Sequence, residues 1–172
     1  MSILDIVTIP DPLLKTISKP VAAVDDDLRK LMDDMLETMY AAPGIGLAAI
    51  QIGVAKRVLV MDLEGEPDAL KPLYMVNPEV LWASEEMHIY NEGCLSVPEQ
   101  YADVERPRDI KIKYLDYHGN MIEEEMTGLH ATCVQHEIDH LNGIVFIDHI
   151  SRLKREMIVK KMIKLSKDAK AL

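Results

Sequence analysis

Thr127-Gly128-Leu129-His130-Ala131-Thr132-Cys133-Val134-Gln135-His136-Glu137-Ile138-Asp139-His140-Leu141 is the stretch on which the reading of this chain turns. Leu129, Thr132, Cys133, His136 and His140 fall along one face of a helix, and Gly143 supplies its stop. Inside it, His136-Glu137-Ile138-Asp139-His140 fits the pattern H-E-x-x-H. Residues four apart lie one above the other on a helix, so both imidazoles reach a single metal ion. Glu137 stands about 100° round the helix, near enough to touch a water at the metal without becoming a ligand. Two surface histidines beside a charged pair would be the plainer reading, but the apolar flank of Val134, Ile138 and Leu141 disfavours it.

Such a site needs a third ligand. The longer metalloprotease pattern requires a third His where this chain has Phe146, so that class is excluded. A downstream Glu is available only as Glu156, in the middle of a basic segment. Cys94, in Glu92-Gly93-Cys94-Leu95-Ser96-Val97-Pro98, is the remaining candidate: beside Gly93 in a turn-like segment it can present its sulfur and neighbouring amides to a ligand. A buried structural thiol is the alternative for Cys94. Cys133 lies three residues before His136 on the same face, but a fourth protein ligand would close the site to water. It is assigned to the pocket wall.

Further out, Asp11-Pro12 opens a short helix over Leu13–Ile17, and Leu28, Leu31, Met32, Met35, Leu36 and Met39 mark a helix between Asp25 and Ala42, ended by Pro43. Arg57–Asp62, Pro72–Val76 and Ile110–Tyr117 read as strands, with His118-Gly119-Asn120 turning into a hairpin arm over Met121–Met126. Ile150–Lys167 reads as a last amphipathic helix, with Ile150, Leu153, Met157, Ile158, Met162 and Leu165 inward. Pro43-Gly44-Ile45-Gly46-Leu47-Ala48-Ala49-Ile50-Gln51 contains G-x-G-x-x-A. A helix and a proline precede it where a dinucleotide site needs a strand, which leaves a backbone segment able to approach a substrate closely.

At 172 residues, with 48% apolar and 28% charged residues, the chain suits one domain with a core of its own. Its apolar runs are far short of the ~20 residues of a membrane span, and no signal peptide is visible, so a cytoplasmic address without membrane contact is expected. Two cysteines make no disulfide framework. The net charge of -10 excludes a whole-surface nucleic-acid binder, and no sequence-specific contact with nucleic acid is expected. The charge is unevenly spread. Residues 152–170 carry Arg152, Lys154, Arg155, Lys160, Lys161, Lys164, Lys167 and Lys170 against Glu156 and Asp168, a balance of +6 that leaves −16 on the rest. The expected architecture is a single α+β domain over residues 1–172: antiparallel sheets around a central H-E-x-x-H helix, with a basic amphipathic helix at 150–167.

Taken together and in order, G-I-G-L-A-A-I-Q (44–51), E-G-C-L-S (92–96) and Q-H-E-I-D-H (135–140) resemble the three-motif signature of the peptide deformylases. The resemblance implies a bacterial or organellar enzyme that removes the formyl group from the N-terminal formylmethionine of new proteins. It implies one divalent metal on Cys94, His136 and His140, with Fe(II) in the cell and Zn, Ni or Co as alternative occupants. It further implies Glu137 as general base, Gln51 and the Leu95 amide at the oxyanion, and Gly46 beside them. A metal with three protein ligands keeps a position for water and lowers its pKa towards ~7. A methionine side chain then needs a pocket, for which Leu129, Thr132, Cys133, Ile45 and Gly93 are the expected walls, with the following peptide paired to backbone near Ile45–Gly46. Asp139 faces away from the metal and is expected to pair with Arg106 or Arg108. The +6 helix is expected to dock on the phosphate-rich ribosome near the exit tunnel.

Overall fold

The computed structural model describes residues 2–64 and 66–171. Asp11 accepts the Leu13 N–H (2.9 Å) and Pro12 opens only a 3-10 turn, Pro12–Lys15, because the backbone is already extended at Thr16. The expected helix over Leu13–Ile17 is therefore a single turn. Helix α1 (Asp26–Ala41) begins as read: the Asp25 carboxylate caps the Leu28 N–H at 2.8 Å, with Asp26 and Asp27 in the positive first turn.

Among the described residues seven strands follow the first helix: β1 (Gly46–Ala48), β2 (Val58–Met61), β3 (Leu73–Ala83), β4 (Met87–Cys94), β5 (Val97–Pro107), β6 (Asp109–Leu115) and β7 (Met121–Thr127). They form a five-stranded sheet in the order β1-β2-β3-β6-β7 and a two-stranded ribbon, β4-β5, antiparallel throughout. The α+β expectation, with its antiparallel sheets, holds. Strand β3 runs beyond Val76, where the sequence reading stops. Asn77 takes a left-handed conformation (φ 52) and clamps Val21 through both amide groups, and a register shift lets the strand continue past Pro78.

Helices α2 (Gly128–Leu141) and α3 (Arg152–Ala171) complete the chain. Along β2 the side chains alternate between two cores. Leu59 and Met61 meet Ala131, Cys133, Val134 and Leu141 of α2, while Val58 and Val60 meet Leu28, Met32, Met35 and Met39 of α1. The sheet is thus covered on both faces, which is why Val58-Leu59-Val60-Met61 is an uninterrupted apolar run. A third core joins Ile9, Val97, Val104, Phe146, Ile158 and Met162, tying the N-terminal segment and the ribbon to α3.

Helix α3 departs from expectation. Of the residues read as inward, Ile158 and Met162 are buried, and Ile150 precedes the helix, partly covered. Leu153 (70% exposed), Met157 (54%) and Leu165 (46%) face solvent. The helix covers one side of the third core through a narrow stripe, so most of its circumference has nothing to pack on. Among the described residues no helix is long and apolar enough to cross a membrane.

The C-terminal end of α2 is held firmly. The Leu141 carbonyl accepts from the Ser18 amide (2.9 Å) and from Arg57 (3.0 Å), while Gly143 turns the chain at φ 75. A Cβ on Gly143 would lie 2.5 Å from the Lys15 carbonyl oxygen, a backbone atom that cannot step aside. Gly143→Ala is accordingly expected to cost about 2 kcal/mol or more, lowering Tm by roughly 4–8 °C in a thermal melt.

Candidate metal centre

The turn between β4 and β5 and the inner face of α2 bring three side chains together. Cys94 Sγ and one ring nitrogen each of His136 and His140 lie within 4.8 Å of one another. Cys94 Sγ is 3.3 Å from His140 Nε2. His136 donates from Nδ1 to Glu92 at 2.8 Å, which turns its Nε2 into the same space. The spacing in the sequence does what helix geometry demands: the two rings stand edge to face, 5.1 Å between centroids. Glu137 reaches the edge of the cluster, its Oε1 3.7 Å from His136 Nε2.

Burial governs the charges. It opposes protonation of His136, but bonds to Cys94 and Glu92 outweigh it and hold the pKa well above the usual histidine range. Burial pushes His140 well below that range, so its imidazole is neutral, whereas His136 would give up its second proton for its Nε2 to coordinate. It also raises Glu137 to about 7. Glu137 Oε2 and His140 Nδ1 are buried without a hydrogen-bond partner. One sulfur and two imidazole nitrogens converging on one point, beside an unsatisfied carboxylate oxygen, fit a first-row divalent cation with an open position. Cys133 stands apart from this cluster. Burial raises its thiol pKa and its sulfur faces the Ile45 carbonyl at 3.8 Å, so it remains a neutral thiol of the wall. Glu156, the rival third ligand, pairs with Arg152 on α3 at 3.0 Å.

A cavity of about 810 Å³ opens over the cluster. Ile45, Gly46, Gly93, Cys94, Leu95, Leu129, Thr132, Cys133, His136 and Glu137 line it, whereas Gln51 and His140 do not. Ile45 and Leu129, about half and a third exposed, stand at the rim. Gly46 is required by close approach: a Cβ there would sit 2.9 Å from Glu137 Oε1 and 3.0 Å from Cys133 Sγ. Gln51 is 1% exposed, with its amide pinned behind the wall. Its Oε1 accepts from the Ala48 N–H (2.9 Å), and its Nε2 donates to Ser96 Oγ (3.0 Å) and lies 3.5 Å from Cys94 Sγ.

The sequence reading misses the carboxylate that orients His136. Glu92 is buried and receives both His136 and a forked pair of bonds from Arg106 (2.7 and 3.0 Å). Burial opposes its charge, yet these donors hold its pKa down at about 2. The available signal was period-two spacing, because Glu92 shares a strand face with Cys94. Asp139 pairs with Arg106 at 2.8 Å, one of the two expected partners, and with His149 at 2.7 Å. Arg108 turns instead to Glu86.

Fold and site together define the class of a metal-dependent hydrolase, with two imidazoles and Glu137 on one helix and the Cys94 thiol at the end of strand β4. A profile of the polypeptide deformylase family matches residues 3–156. Peptide deformylase from Phenylobacterium zucineum is 62% identical over 169 residues, 98% of this chain and 100% of that protein. The crystal structure of peptide deformylase from Ehrlichia chaffeensis in complex with actinonin superposes with a TM-score of 0.89 at 46% identity, covering 95% of this chain and 98% of that one. The peptide deformylase from Legionella pneumophila gives 0.90 at 43% identity, with 96% of each chain covered. The chain belongs to the peptide deformylase family, and its activity is deformylation of nascent peptides.

Arg106 is the cation between Glu92 and Asp139. Arg106→Met leaves both carboxylates without it, Glu92 buried, and should destabilise the fold by about 3–5 kcal/mol in urea titration.

Proposed function

We propose that Cys94, His136 and His140 hold one divalent metal and that Glu137, Gln51 and the Leu95 amide carry out hydrolysis of the N-formyl group of formylmethionyl peptides. The observation carrying this reading is the convergence of the Cys94, His136 and His140 donor atoms within 4.8 Å beside a cavity lined by Cys94, His136 and Glu137. A divalent ion bound there would polarise the formyl oxygen and acidify the attacking water.

Glu137 takes the proton of that water. Its burial supports the role, since a carboxylate raised to about 7 accepts a proton near neutral pH and can give it up again. The same carboxyl then delivers the proton to the departing amine as formate leaves. Negative charge on the formyl oxygen is met by a Gln51 amide hydrogen and by the Leu95 N–H, each typically worth ~3–4 kcal/mol in the transition state. Leu129, Thr132, Cys133, Ile45 and Gly93 enclose the methionine side chain. Strand β1 is an edge strand of its sheet, paired among the described strands with β2, which leaves the Ile45–Gly46 stretch of its other edge to align the peptide after methionine. Formyl carries only hydrogen on its acyl carbon, so a tight site admits it and rejects acetyl by volume.

Fe(II) is the proposed ion in the cell, with Zn, Ni or Co able to take the same ligands. The 172 residues act as one catalytic domain in the bacterial cytoplasm. Iron-loaded protein should release formate from formyl-Met-Ala-Ser and leave acetyl-Met-Ala-Ser and casein untouched. Cys94→Ala should lose bound metal together with at least a hundredfold in turnover. Retained metal and activity in that variant would remove Cys94 from the ligand set.

We also propose that α3 docks on the ribosome beside the exit tunnel. Lys160, Lys161, Lys164 and Lys167 are suited to phosphate, and Leu153 and Met157 lie exposed on the same helix. Met162 is a core residue, so charge substitution is a cleaner test than truncation. Replacing those four lysines with glutamine should weaken ribosome co-sedimentation severalfold at low salt and leave formyl-tripeptide turnover unchanged. Undiminished co-sedimentation would contradict the docking.

A further inference from the structure

Ser96 closes the segment 92–96, and the reaction as described gives it no task. It is fully buried in the turn after Cys94, with its carbonyl fixed by the Ile9 N–H at 3.0 Å. Its hydroxyl oxygen accepts from Gln51 Nε2 at 3.0 Å. The orientation of the Gln51 amide is not free: its oxygen must face the Ala48 N–H, which can only donate, so its nitrogen faces Ser96 and Cys94.

We propose that Ser96 is a positioning residue that divides the two amide hydrogens of Gln51, anchoring one and leaving the other for the formyl oxygen. This rests on the role proposed for Gln51 above. The second hydrogen is donated to Cys94 Sγ, 3.5 Å from Nε2, a long contact from which it would pass to a formyl oxygen seated beside that sulfur. Gln51 rides on a 3-10 turn, Ala49–Ile52, held from both sides, and neither it nor Ser96 is open to water. Without the Ser96 oxygen the hydrogen now donated to it loses its acceptor. A buried unpaired N–H then finds a partner by turning, and Cys94 sulfur is the acceptor within reach. The amide hydrogen meant for the transition state is spent on the thiolate or swings out of line.

The test is a double-mutant cycle on formyl-Met-Ala-Ser with metal content measured alongside. Ser96→Ala should lower kcat about tenfold or more, with KM and bound metal within about twofold of the parent. Gln51→Ala should lower kcat about a hundredfold or more. In the Gln51→Ala background, adding Ser96→Ala should cost less than a further twofold, because there is no amide left to position. Ser96→Cys, close in size and a weak acceptor, should fall between parent and alanine variant, and it replaces the alanine variant in the cycle should that protein fail to fold. A silent Ser96→Ala beside a crippled Gln51→Ala overturns the Ser96 role alone, as do losses that multiply in the double variant. A silent Gln51→Ala overturns it together with the proposed role of Gln51.

Discussion

A carboxylate sealed from water survives as an anion only if its surroundings supply donors in full, and Glu92 is that carboxylate. Arg106 gives it a forked pair of bonds and His136 a third, so one buried group links the ribbon β4-β5 to helix α2. The rest of the site inherits its geometry from this link. It fixes which nitrogen of His136 faces the cavity, and sets the distance between the strand that carries Cys94 and the helix that carries both imidazoles. Through Arg106 the link continues to Asp139 and His149, so the motif helix is gripped on its outer side by the same ionic chain that orders its inner side.

Other contacts complete the frame from the opposite direction. Gly46 brings the edge strand β1 against Glu137 and Cys133 so closely that no side chain fits between. Ser18 and Arg57 hold the last carbonyl of α2, and Gly143 lets the chain leave without disturbing it. Helix α2 is therefore fixed at its end, its inner face and its outer face. Such support is what a site with a developing charge requires, because its dipoles must be in place before the reaction rather than turn during it.

The helices were legible wherever burial follows a 3.6-residue period: α1 shows its Met and Leu stripe, and α2 shows both its helix and its chemistry. β2 was legible because it is buried on both faces. The ribbon β4-β5 was not. Its inward residues include Glu92 and Arg106, so the face that meets the core reads as polar, and Gly93 and Pro98 read as turn signals. β1 spans three residues, too few for any periodicity. For α3 the composition misled: Leu153 and Met157 fit an amphipathic pattern, but the core beneath is too narrow to receive them. Within the site, the meeting of His136, His140 and Glu137 was legible because their helical spacing is mechanical. Glu92, which orients His136 from a distant segment, left only the faint signal of its period-two spacing from Cys94.

The central claim is that one thiolate and two imidazoles form the metal site, with Cys94 drawn from a different element than the helix motif. X-ray absorption at the metal edge of the iron- or zinc-loaded protein tests it directly. The account predicts one sulfur scatterer, near ~2.3 Å for zinc, together with two imidazole nitrogens near ~2.0–2.1 Å and at least one further light atom in the open position. A first shell of nitrogen and oxygen alone, or one with two sulfurs, would contradict it.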